Sequence, residues 1–144
     1  MQYNEYYYAG MDCSGYVGWA MYNLLNTQSN NKGYVEPAKT MSQTFSEKLG
    51  LGTKTLKFKP SDFKPGDIYS MSGHVWISLG ACKDNSILIL HSTPSDSYTK
   101  MPGGGVQLSA LGKKGSEAHK LASVYMNRYY NCLLYTSDAA DDSL

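Results

Sequence analysis

Three residues have the right chemistry to act together: Cys13, within Met11-Asp12-Cys13-Ser14-Gly15, and the histidines His74 and His91. A thiolate is the reactive form of cysteine. The first turn of a helix favours it, because unpaired backbone N–H groups and the positive end of the helix dipole stabilise an anion there. The Cys13 amide can also contribute to an oxyanion hole, and Gly15 permits close approach by a substrate or a facing strand. One imidazole can take the thiol proton while a second fixes the tautomer and orientation of the first. His74 follows Pro65-Gly66-Asp67 and Ser72-Gly73 and opens an apolar run, and His91 closes the next run. If these runs pair as a hairpin around Gly80 to Asn85, both imidazoles fall toward the same sheet edge. Spacing alone is not diagnostic, since free cysteines are commonly buried small hydrophobes. His119, in the polar stretch Lys113 to Lys120, reads as a solvated loop residue, and Cys82 and Cys132 carry no assigned chemistry.

The elements that must position these residues follow from periodicity. Val17, Ala20, Met21, Leu24 and Leu25 recur at helical spacing after Asp12, a good N-cap, and Asn26-Thr27 supplies stop signals. A second helix is predicted from about Ala38 to Leu49, with Met41, Phe45 and Leu49 on one face and Gly50 and Gly52 ending it. The period then becomes that of strands: Thr55 to Lys59, Ile68 to Met71, His74 to Leu79, Ser86 to Ser92, Val106 to Leu111 and Ala122 to Tyr130. Helices first and then hairpin-linked strands make an α+β domain. A five- to six-stranded antiparallel sheet packs on the N-terminal helix that carries Cys13.

Composition sets the outer bounds. A chain of 144 residues is long enough for one domain with a real core, and 42% apolar, 17% charged residues and a net charge of +1 are ordinary for a globular protein. No basic run suggests nucleic acid as a partner. No stretch approaches the ~18 apolar residues of a membrane span, and no signal peptide is legible. Three cysteines without regular spacing suggest neither a disulfide framework nor a metal site. Tyrosine is over-used, 13 against 3 Phe, which suits a groove for sugars or peptides and equally fits compositional bias. The natural domain is expected to span residues 1–131. Residues 132–144 are expected to lie outside it, because Cys132 to Asp141 resembles the translation of a sequencing adapter.

Asp12-Cys13-Ser14-Gly15, Pro65-Gly66-Asp67, His74-Val75 with Gly80, and Leu90-His91 stand in the order of the signature of NlpC-type cysteine peptidases, which this chain resembles from about Tyr7 to Tyr130. The resemblance implies a papain-like fold and cleavage of peptidoglycan stem peptides after γ-linked D-glutamate and before a diamino acid. It implies that Cys13 attacks the amide carbonyl, His74 is general base and acid, and His91 orients His74. Asp12 and Ser14 would help hold the free amine of the stem peptide. Tyr8, in Tyr8-Ala9-Gly10, is the candidate substrate-side tyrosine, with Tyr6 and Tyr7 as alternatives. The chain departs from the family in lacking a Gly-Gly pair after that tyrosine, in carrying Trp76 where a small residue is usual, and in a longer loop between the histidine strands. Trp76 is expected to pack in the core. The implied enzyme needs no metal or organic cofactor, works as a monomer and acts outside the cell or in the wall. Two other readings stay open: the same site acting on another amide, as an N-acetylmuramoyl amidase or an acyltransferase, and a wall-peptide-binding domain without activity.

Overall fold

The structure, a computed structural model, describes residues 11–25, 34–93, 105–129 and 136–137. Asp12 starts the first helix. Its Oδ1 accepts the Gly15 N–H at 2.5 Å and the Ser14 hydroxyl at 3.0 Å, and its carbonyl accepts the Tyr16 N–H at 2.9 Å. The first of these satisfies a backbone donor that has no partner within the helix, and the last is the first bond of the helix itself. Helix α1, Cys13–Leu25, buries Tyr16, Val17 and Gly18. The second predicted helix is a short α-helix over Met41–Gln43 that widens into a π-helical turn over Thr44–Lys48. We call the two together α2. Met41 and Phe45 face inward, joining Tyr16, Val17 and Val75 in one cluster, while Leu49 is left exposed. Each fully buried aliphatic or aromatic side chain contributes about 1.5–3 kcal/mol relative to exposure.

Gly18 sets how closely the segment after α1 approaches the helix. A Cβ there would lie 2.7 Å from Val35 Cγ2 and 2.9 Å from the Val35 backbone. Backbone cannot yield as a side-chain tip can. Gly18→Ala should therefore lose up to about 2 kcal/mol net, because overpacking of about 1–3 kcal/mol outweighs the helix-propensity gain of about 1 kcal/mol. Urea unfolding midpoints of the two proteins test this; an unchanged or raised midpoint would show that Val35 can move aside.

Four antiparallel strands form the sheet in chain order: β1 (Ile68–Met71), β2 (His74–Ala81), β3 (Ile87–Thr93) and β4 (Gly105–Leu111). Gly73, with φ of 83°, permits the tight turn that sets Met71 opposite His74. A two-residue strand, β5 (Thr136–Ser137), adds in parallel beside Ala110 and Leu111. The fold is α+β, as predicted, with four antiparallel strands among the described residues where five or six were expected.

Two predicted strands are absent for identifiable reasons. Thr55 to Lys59 alternates but has no ladder partner among the described residues. It runs as irregular chain, with Leu56 exposed and Phe58 turned into an aromatic cluster. Of the segment Ala122 to Tyr130, the described residues 122–129 belong instead to a helix, α3, Glu117–Tyr129. Ala118, Ala122 and Met126 recur every four residues and are buried, with Ala122 and Met126 packed on Leu108 of β4. The β2–β3 loop caps this helix: Asp84 Oδ2 accepts the Glu117 N–H at 2.8 Å, and Ser86 Oγ accepts the Ala118 N–H at 3.0 Å. Glu117 reaches back to the Lys83 N–H at 2.9 Å. His119 consequently sits half-buried on α3 and not in a solvated loop.

Strand alternation divides the sheet into two faces. Val75, Ile77, Leu88, Leu90 and Leu108 pack toward the helices. His74, Trp76, Ile87, Ile89, His91, Gln107 and Ser109 occupy the other set of alternate positions. Trp76 is 3% exposed and stacks on Tyr69 at 4.9 Å beside Phe63, so it packs in an aromatic cluster, as expected. Among the described residues no helix is long and apolar enough to cross a membrane.

Candidate active site

The start of α1 and the start of β2 lie at one end of the sheet, and two contacts establish this. The Ser92 hydroxyl on β3 donates to the Met11 carbonyl just before α1. Cys13, half-buried in the first turn, packs on the cluster containing Val75, the neighbour of His74. The helix therefore delivers its capped N-terminus, with Cys13 on it, to the strand ends that carry the histidines.

His74 Nε2 and His91 Nδ1 are 2.8 Å apart, with the rings edge to face at 77°. The register of β2 on β3 explains the meeting. Ile77 pairs with Leu90, so residues 74 and 91 fall on the same face as diagonal neighbours, within reach of side chains of this size. Beyond them, His91 Nε2 lies 2.9 Å from Ser109 Oγ. The Gln107 amide nitrogen lies 3.4 Å from both of those atoms. His91 and Ser109 are almost wholly buried, 5% and 2% exposed. A buried imidazole needs a partner on each nitrogen, and the sheet supplies both.

Burial alone holds the His74 pKa below the ordinary imidazole value. Burial first, and then the neighbouring His74, push that of His91 down to about 4. Both rings are neutral at pH 7, so each carries one proton. One proton lies in the shared hydrogen bond. Among the described residues His74 Nδ1 has no hydrogen-bond partner, so this nitrogen is open to a proton from outside the pair.

Of the predicted site residues, the structure joins His74 with His91, and Asp12 with Ser14 across the helix cap. Cys13 is at the same end without a hydrogen bond among the described residues. Thiol–imidazole contacts are often loose until substrate arrives. Asp12 is exposed, and its Oδ1 takes both cap bonds. Tyr8, its alternatives Tyr6 and Tyr7, and Cys132 lie outside the described residues. Cys82 is half-buried in the β2–β3 loop. Sequence reasoning missed Ser92, Gln107 and Ser109. The signal for the last two was present: polar residues two apart in a strand whose other positions are apolar place polar groups on a buried face. Among the described residues no group of three or more His, Cys, Asp or Glu is arranged to hold a metal ion.

The chain matches no family model, no curated protein and no solved structure.

Proposed function

We propose that this protein is a papain-like cysteine peptidase that hydrolyses peptidoglycan stem peptides at the γ-D-glutamyl–diamino acid bond. The observation that carries the reading is the pair of half-buried His74 and buried His91 at the end of the sheet where α1 presents Cys13. In the proposed reaction the Cys13 thiol gives its proton to His74 Nδ1, and the sulfur attacks the amide carbonyl. His74 then protonates the leaving amine as the tetrahedral intermediate collapses to a thioester. Water, deprotonated by the same imidazole, hydrolyses the thioester and regenerates the thiol. The Cys13 backbone N–H, in the first helical turn and without a hydrogen-bond partner among the described residues, is a donor for the oxyanion. Asp12 supports the substrate assignment: its capping role uses Oδ1, so its exposed carboxylate can also face the free ammonium of a stem peptide. Ser14 stands beside it, and Tyr8 is proposed on the substrate side. The chemistry draws only on the chain's own groups and water, and the proposed substrate implies an enzyme at the cell wall, acting as a monomer.

Mass spectrometry of purified stem peptides, incubated with this protein and with Cys13→Ala, tests the proposal. Cleavage after γ-D-glutamate by the unsubstituted protein alone is expected, and it also identifies the diamino acid. Cleavage at a different amide would keep the cysteine mechanism and replace the substrate. No cleavage, with Cys13 inert to a thiol probe, would favour a wall-peptide-binding domain.

A further inference from the structure

The proposed mechanism requires a particular arrangement of protons, and it extends one residue beyond His91. For His74 to accept the thiol proton at Nδ1, its own proton must sit on Nε2 and be donated to His91 Nδ1, 2.8 Å away. A neutral His91 accepting there carries its own proton on Nε2. That N–H is buried and needs an acceptor. Ser109 Oγ lies 2.9 Å from it on β4. The opposite tautomer of His91 would donate from Nδ1 to His74 Nε2, leaving the His74 proton on Nδ1, the nitrogen that has to receive one. The two rings are thus coupled, and whatever favours Nε2–H on His91 keeps His74 competent as a base.

We propose that Ser109 is a positioning residue that holds His91 in its Nε2–H tautomer, and through it keeps His74 Nδ1 free to accept the thiol proton; this rests on the peptidase reading of the site. Three observations favour Ser109 over other groups. It is 2% exposed, so water does not readily replace its hydroxyl. It stands on β4 opposite Ile89, two pairs along from the Gln107–His91 pair and on the same face, so the β3–β4 ladder fixes its distance from the ring. Gln107 flanks both atoms only at 3.4 Å, against 2.9 Å for the Ser109 hydroxyl, so its hold on the ring is the weaker one.

The test reads the His91 tautomer directly, by two-bond proton–nitrogen NMR of 15N-histidine-labelled protein at pH 7. The same samples are assayed for stem-peptide hydrolysis. Unsubstituted protein should show His91 protonated on Nε2. Ser109→Ala should shift His91 toward Nδ1–H and lower kcat by about 10- to 100-fold with KM little changed, the size of loss expected for one buried unsatisfied donor. Ser109→Thr, which keeps the hydroxyl, should restore both readouts, and Gln107→Met should leave the tautomer as it is. If Ser109→Ala does not fold, the Ser109→Thr and Gln107→Met spectra still decide. A tautomer that follows Gln107 in place of the Ser109 hydroxyl overturns the proposal. So does an Nδ1–H tautomer in the unsubstituted protein, or a Ser109→Ala protein with unchanged tautomer and rate. If the unsubstituted protein cleaves no stem peptide yet its His91 tautomer responds to Ser109, the positioning role stands and the peptidase reading fails.

Discussion

Cys13→Ala is expected to reduce stem-peptide hydrolysis to background, a loss of about a millionfold, whereas His91→Ala is expected to retain roughly a hundred times more activity than that. The ranking follows from the roles. Without Cys13 there is no atom to form the thioester. Without His91 the nucleophile and base remain, and what is lost is the fixed orientation and tautomer of His74. His91 is also buried, and its removal leaves His74 Nε2 and Ser109 Oγ without their partner. The substituted protein must therefore be shown to be folded, by near-ultraviolet circular dichroism, before its rate is read. Initial rates on a purified stem peptide separate the cases. Equal losses from both substitutions would show that His91 is as indispensable as the nucleophile and would refute an orienting role.

Acid should destabilise this fold at a pH where its carboxylates are still ionised. Burial, assisted by His74, lowers the His91 pKa in the fold to about 4, from the ordinary 6.5 of an exposed imidazole. Between these values the unfolded chain binds a proton that the folded chain does not. Stability therefore rises with pH across that window and is lost as pH falls through it. The contribution is fully present above pH ~6.5 and is of the order of 3 kcal/mol, a large fraction of the 5–15 kcal/mol typical of a domain. His74, also lowered by burial, acts in the same direction. Asp84 and Glu47 have pKa values lowered chiefly by side-chain hydrogen bonds, from Ser86 and Gln43 respectively, so their losses come at lower pH. Urea unfolding midpoints at pH 7, 5.5 and 4.5 should fall steadily, and the fall should be much shallower in His91→Gln. A flat profile down to pH 4.5 would mean that His91 is protonated within the fold.

The α1 helix was legible because Asp12 and the apolar spacing after it make a local argument, and the cap bonds from Ser14 and Gly15 are local too. The strands carrying His74 and His91 were legible for the same reason, as apolar runs separated by glycine-containing turns. Reading Ala122 to Tyr130 as a strand failed because Val124 and Tyr125 are apolar on the outer face of α3, which hides the four-residue spacing of Ala118, Ala122 and Met126. Thr55 to Lys59 has the alternation of a strand, but a strand exists only with a hydrogen-bonding neighbour, and none of the described residues pairs with it. Ser109 and Gln107 escaped notice because their importance lies in a partner 16 or 18 residues away in sequence.

By itself, then, the sequence determined the α+β class, the capped helix that begins at Cys13, the turns and apolar strands around the two histidines, and the residue types available for thiol chemistry. Those features depend on neighbours within a few positions along the chain, where periodicity and capping act. The tertiary structure alone decided that His74 and His91 share a hydrogen bond, that Ser109 stands behind them, and that Ser92 ties the start of α1 to the same end of the sheet. Each of these depends on strand register and on how α1 lies across the sheet. A slip of one residue in the β2–β3 pairing would turn one histidine to the opposite face, and no local pattern in the chain specifies that register.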